Sequence, residues 1–152
     1  NVTNPLAARA YAAMGARALT LSPELTLSGM ERAAPDVPTL ALAYGHMPLM
    51  LTRACPLRNV RDCAHCDRTG ALLDRKGLRF PVRCTGPDGA RTVYNPIPLY
   101  WGDRRGALPA TLPLLYFTLE TPRRAAEVLA LFCAARPFNS PFTRGLYEKG
   151  TS

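Results

Sequence analysis

An α/β fold is what this chain's sequence predicts, from three observations. Apolar runs of strand length alternate with capped helical segments at the N-terminal end, one more strand and helix follow near the C-terminus, and a stretch without helical period separates them. Strands joined by helical crossovers run parallel, because a two-residue hairpin cannot connect them. Asn4 caps a first helix that opens on Pro5, and Gly15 ends it after Met14. Ala18 to Leu21 reads as a short buried strand. Ser22-Pro23-Glu24 supplies a cap, a first-turn proline and an acid at the positive end of the dipole, which starts a second helix running to Ala33. Asp36-Val37-Pro38 then turns the chain into a second strand, Thr39 to Tyr44.

The middle differs in kind. From Cys55 to Trp101 no helical period is visible, and Gly70, Gly77, Gly86 and Gly89 interrupt the stretch. Leu78 to Val82 and Thr92 to Tyr94 read as short strands, with Pro87-Asp88-Gly89 as a turn between them. Past the polar loop of Gly102 to Gly106, Leu112 to Leu119 is a strand despite Pro113. Thr121-Pro122 opens a helix through Ala135, with Ala125, Val128, Leu129 and Phe132 on one face. The expected organisation is therefore β/α units over 1–50, a cysteine-rich metal-binding insertion over 51–106, a final β/α unit over 107–136 and a surface tail over 137–152.

With 47% hydrophobic and 20% charged residues among 152, the chain can bury a core, which excludes a disordered polymer. No run approaches the roughly 20 apolar residues of a bilayer span, and no basic region precedes an apolar one at the N-terminus; a soluble, cytoplasmic protein is expected. The chain begins Asn-Val-Thr-Asn-Pro without methionine and enters a helix at once, the pattern of a fragment of a longer protein.

Four of the five cysteines, Cys55, Cys63, Cys66 and Cys84, fall in the middle stretch. Thiolates are soft ligands, and four of them complete a tetrahedral zinc site or hold a four-iron four-sulfur cluster. Metal binding leads; disulfides and inert buried thiols stay open, since only Cys63 and Cys66 form a CxxC pair. Such a stretch has little core of its own, so a metal would order it. His65, between two of these ligands, can replace one on zinc. The net charge of +8 concentrates here: Arg53, Arg58, Arg61, Arg68, Arg75, Lys76, Arg79 and Arg83 stand against Asp62, Asp67 and Asp74. They compensate a negatively charged four-thiolate centre, or Arg58, Arg61, Arg68 and Arg79 contact RNA phosphates.

Particular strings carry a resemblance. Ala43-Tyr44-Gly45-His46-Met47-Pro48-Leu49-Met50, then Thr52-Arg53-Ala54-Cys55-Pro56, resembles the core segment of peptidase family U32, the collagenase-like proteases. So do Leu73-Asp74-Arg75-Lys76-Gly77, Phe80-Pro81-Val82, Asn95-Pro96-Ile97-Pro98-Leu99-Tyr100, Phe117-Thr118-Leu119-Glu120-Thr121 and Phe142-Thr143-Arg144-Gly145, in the family's order and across residues 19–148. The family signature runs glutamate, any, phenylalanine, two any, glycine, a small residue, an aliphatic residue, cysteine, four any, glycine, any, cysteine. Laid on Leu40 to Cys55, this chain keeps Gly45, Met47 and Cys55 but has Leu40 for the glutamate, Leu42 for the phenylalanine, His46 for the small residue, Pro48 for the first cysteine and Arg53 for the second glycine. The resemblance implies the C-terminal part of a β/α barrel whose early strands lie upstream, so the expected fold is partial barrel units with a β-containing insertion. It also implies a parent enzyme historically labelled a peptidase or hydrolase, with relatives that hold a four-iron four-sulfur cluster and hydroxylate RNA bases or a quinone precursor without oxygen. Only Cys55 maps onto the family's ligand pattern; Cys63, Cys66 and Cys84 are taken to supply the rest, with zinc as the alternative.

The remaining readings are a structural zinc or nucleic-acid-binding module and a genuine peptidase. No HExxH helix or GxSxG elbow is present. His46, after a strand, and Glu120, at a strand end before a helix, are the catalytic candidates, each with a structural alternative. Tyr100 and Trp101 beside Arg104 and Arg105 either stack bases or pack, and Cys133 is expected buried in its helix. Expected partners are RNA, the remainder of the parent barrel and a second copy of the fragment, which alone is expected to be inactive.

Overall fold

The computed structural model describes residues 2–33, 36–60, 62–85 and 89–149. In chain order the elements are α1 (Pro5–Ala13), β1 (Leu19–Thr20), α2 (Leu27–Ala33), β2 (Thr39–Gly45), β3 (Pro48–Thr52), a 3-10 turn (Cys63–His65), β4 (Thr69–Leu73), β5 (Arg79–Cys84), β6 (Arg91–Tyr94), β7 (Leu99–Tyr100), a second 3-10 segment (Gly102–Ala107), β8 (Leu112–Tyr116) and α3 (Pro122–Cys133). They form two units, Asn1–Gly45 with Leu99–Ser152, and His46–Pro98.

The first unit is α/β, as the alternation of runs predicts. Asn4 caps α1 by accepting the Ala7 N–H at 2.8 Å, and Thr121 caps α3 through the Arg124 N–H at 3.3 Å. α2 begins four residues later than its start signal implies. Ser22 Oγ spends itself on a local turn, accepting the Glu24 N–H, and Thr26 is the cap, accepting from Gly29 at 3.0 Å. β2 is the hub: β1 and β8 pair with it in parallel and β7 antiparallel, with Leu40 opposite Leu112 and Tyr44 opposite Tyr100. A Cβ at Gly45 would lie 2.7 Å from the Tyr116 carbonyl, so β8 closes on β2 only because position 45 lacks one. The sheet is open, and no closed barrel forms among the described residues.

Residues 137–149 form an irregular, mostly exposed segment with two buried anchors. Phe138 and Tyr147 are buried, and the Tyr147 hydroxyl donates to the Leu42 carbonyl at 2.8 Å, with burial pushing its pKa up. Tyr100 and Trp101 are buried as well, which removes them as base-stacking platforms. Their polar tips are bonded, Tyr100 to the Arg136 carbonyl at 2.7 Å and Trp101 to the Arg144 carbonyl at 3.1 Å. On α3, Val128 and Phe132 are buried, but Leu129 is exposed, and so is Cys133 against its expected burial. The expected strand over Leu112 to Leu119 stops at Tyr116.

Arg144 clamps this region. Its guanidinium meets Asp103 in two parallel bonds of 2.6 Å, donates to the Tyr100 carbonyl at 3.0 Å and lies over the Trp101 and Phe142 rings. The Arg144 bonds hold the Asp103 carboxyl below the usual carboxylate range. Such a group stabilises the fold above its unfolded pKa, and the contribution is lost as pH falls through the lower folded value. Asp103→Asn should cost about 1.5–3 kcal/mol in urea unfolding at pH 7 and flatten the loss of stability below about pH 4; a variant as stable as the parent at pH 7 would show the clamp to be idle.

The second unit is an antiparallel sheet in the order β3-β6-β5-β4. β5 and β6 lie where the sequence places short strands; the expected turn between them falls mostly on 86–88, outside the described residues. β3 and β4 were not anticipated, and they extend the unit to 46–98, where the sequence places the insertion at 51–106. The boundary moves because Pro48–Thr52 pairs with β6, whereas Leu99–Tyr100 pairs with β2.

Candidate metal centre

Alternation along β5 places Phe80, Val82 and Cys84 on one sheet face and Arg79, Pro81 and Arg83 on the other. Register carries the first face across the sheet: Gly70 stands opposite Val82, Arg91 opposite Cys84 and Val93 opposite Val82. Over this face lies the chain between Arg53 and Arg68. A Cβ at Gly70 would sit 2.1 Å from a Leu57 methyl, so in this packing Leu57 rests directly on the glycine. Arg91, a buried charge, donates from Nη1 to the carbonyls of Arg53 at 2.5 Å and Gly89 at 2.6 Å, which ties the start of the overlying chain to the sheet.

The result brings the four predicted cysteines together. Cys55, Cys63, Cys66 and Cys84 line one cavity of about 210 Å³, together with Leu57, Val82 and Arg91. They come from three places: a turn in which Cys55 accepts the Arg58 N–H, the 3-10 turn bearing Cys63 and Cys66, and the end of β5. Cys133 lies on α3 in the other unit, and all five thiols are free of disulfides. Among the described residues no three His, Cys, Asp or Glu side chains are set to hold a single ion.

The backbone supports this arrangement. Arg68 adopts φ 63°, a left-handed conformation that non-glycine residues rarely take. It aims the Arg68 N–H at Cys66 Sγ, 3.4 Å away, while the Arg68 carbonyl accepts the Cys84 N–H at 2.9 Å. One peptide segment thus locks two of the thiol-bearing residues, and an N–H directed at sulfur is the support a metal-bound thiolate uses. Asp62 orders the 3-10 turn by accepting the Ala64 N–H at 3.4 Å. His65 does not line the cavity; it is exposed, 3.9 Å from Asp62, which removes it as a substitute ligand.

Three of the four expected phosphate-binding arginines are among the described residues, and they stand at different places in the unit. Arg68 lines the thiol cavity and Arg58 a neighbouring one, both exposed. Arg79 starts β5, five residues from Cys84 and so about 16 Å away along the strand. Arg61 lies outside the described residues.

The catalytic candidates are occupied structurally. His46 Nδ1 is 2.7 Å from the Asn95 carbonyl. Glu120 accepts the Tyr44 hydroxyl at 2.7 Å and the N–H groups of Thr118 and Leu119 at 2.8 and 3.0 Å. Burial would raise its pKa, but these hydrogen bonds outweigh burial and hold it below the usual range, while burial and Glu120 together push Tyr44 up. That carboxylate joins β2 to the start of α3. Comparison with family models, with curated proteins and with solved structures found no match to the chain.

Arg91 is the functional residue that spacing does not reveal. Arg91→Met keeps the length but removes the two bonds to the Arg53 and Gly89 carbonyls, costing about 1.5–3 kcal/mol. Amide exchange over 79–94 should accelerate roughly tenfold or more, with 39–45 unchanged; unchanged exchange over 79–94 would show that the tie does not hold the unit together.

Proposed function

We propose that this chain is the C-terminal part of a U32-type enzyme of oxygen-independent RNA-base hydroxylation, and that its 46–98 unit holds a four-iron four-sulfur cluster on Cys55, Cys63, Cys66 and Cys84. The observation that carries the proposal is the convergence of those four thiols, and not the fifth, on one cavity. Four cysteines about one cavity offer the soft thiolate set that a four-iron four-sulfur cluster takes, with a zinc ion as the alternative. When bound, the cluster would supply electron transfer or an open iron that acts as a Lewis acid. The chain's part is to hold the ligands: Arg68 directs an N–H at Cys66, Arg91 anchors the overlying chain, and Leu57 and Val82 keep part of the wall apolar.

The partial-barrel element of the proposal draws on β8. Among the described residues β8 pairs with β2 alone, and Leu112, Tyr116 and Phe117 on and beside it are exposed. An exposed strand edge with apolar side chains seeks another strand. The rest of a barrel, or a second copy, would cover it. A peptidase finds less support, because His46 is engaged by a backbone carbonyl and His65 stands exposed beside Asp62.

Protein isolated anaerobically should carry iron and acid-labile sulfide in equal amounts. Serine at Cys55, Cys63, Cys66 or Cys84 should remove most of both and lower the thermal midpoint by several degrees, whereas Cys133→Ser should change neither. Zinc without sulfide would assign the structural-module reading instead, and full metal content after any of the four replacements would break the tetrad.

A further inference from the structure

A second cavity, of about 670 Å³, opens beside the thiols and shares Cys55, Cys63 and Arg91 with theirs. Among the described residues its wall holds Arg53, Arg58 and Arg91 and one acid, Asp62. That acid is already engaged within the 3-10 turn, by the Ala64 N–H and beside His65. Arg91 is fixed by two backbone carbonyls, so its charge is held in place before a ligand arrives, while Arg53 and Arg58 are exposed and can close on one. Guanidinium groups pair with phosphate oxygens two at a time. The volume lies within the roughly 300–1,000 Å³ of small-molecule sites, more than a lone inorganic ion needs.

We propose that the Arg53, Arg58 and Arg91 cavity binds the phosphate of a nucleotide and seats that nucleotide next to the thiol site. This deepens the RNA reading above and rests on it for the identity of the ligand. The charge count of the sequence spreads arginines from Arg53 to Arg83; the cavity takes Arg53 and Arg58 from them and adds Arg91, and only Arg58 belongs to the set that the sequence nominates for phosphates.

The test uses the full chain at low salt and compares two double variants that remove the same charge. Arg53→Met with Arg58→Met empties the cavity wall. Arg75→Met with Arg83→Met removes exposed charge elsewhere, Arg83 being on the opposite sheet face. Binding of adenosine monophosphate and of a short single-stranded oligoribonucleotide is measured by titration calorimetry. The first pair should weaken binding about tenfold or more and the second less than about threefold. Competition between the two ligands would mark a site that accepts a free nucleotide; binding of the oligoribonucleotide alone, with the same arginine dependence, would assign it to a phosphodiester in a strand. Equal loss in both pairs, or no binding of either ligand, would overturn the proposal. Iron and sulfide contents should be unchanged in the Arg53, Arg58 variant; loss of metal with phosphate binding intact would mean that these arginines serve the thiol site. A metal-free protein that still binds phosphate through them would separate this site from the cluster reading.

Discussion

A buried guanidinium must be compensated where it lies, and the way Arg91 is compensated organises the 46–98 unit. Among its partners are the backbone carbonyls of Arg53, just after β3, and of Gly89, just before β6. The side chain therefore fixes where the overlying segment starts. That segment has one 3-10 turn and no other helix, and ordering it costs about 1–2 kcal/mol per residue. Leu57 on Gly70 and the Arg68 contacts to Cys66 and Cys84 offset part of that cost. The position of three thiols over the fourth follows from those few anchors.

The α/β unit was legible where local chemistry and tertiary structure agree. Asn4-Pro5 and Thr121-Pro122 place a cap and a proline in the order a helix start requires, and both helices begin there. Ser22-Pro23-Glu24 carries the same signals, yet the serine closes its own turn and the helix waits for Thr26. β3 and β4 were invisible for a different reason. Pro48-Leu49-Met50-Leu51-Thr52 is apolar but almost wholly exposed, and Thr69-Gly70-Ala71-Leu72-Leu73 contains residues with little strand preference. Each is a strand because of what it pairs with, which no periodicity encodes. Phe138 and Tyr147 are buried from an irregular segment for the same reason.

At the candidate centre, residue type and spacing picked out the four cysteines that share a cavity but not the residues around them. Cys55, Cys63, Cys66 and Cys84 stand out because clustered thiols have few other uses, and the cavity unites them. Arg91, Gly70 and the left-handed Arg68 matter only through strand register and turn geometry, so nothing in the sequence marks them. Charge alone does not place the arginines: the length of β5 separates Arg79 from Cys84, while Arg58 and Arg68 line neighbouring cavities. The resemblance to U32 peptidases drew attention to Gly45, and the close approach of Tyr116 gives that glycine a physical reason independent of any family.

The central claim is that four thiols act as one set. Cys63 and Cys133 are both exposed, so without a bound group both should react with an alkylating reagent. Alkylation of the anaerobically isolated, native protein, mapped residue by residue by mass spectrometry, separates the cases. The account predicts rapid labelling of Cys133 alone, with Cys55, Cys63, Cys66 and Cys84 protected together and released together by a chelator or oxidant. Labelling of Cys63 at the rate of Cys133 in that protein, with the other three still protected, would contradict it.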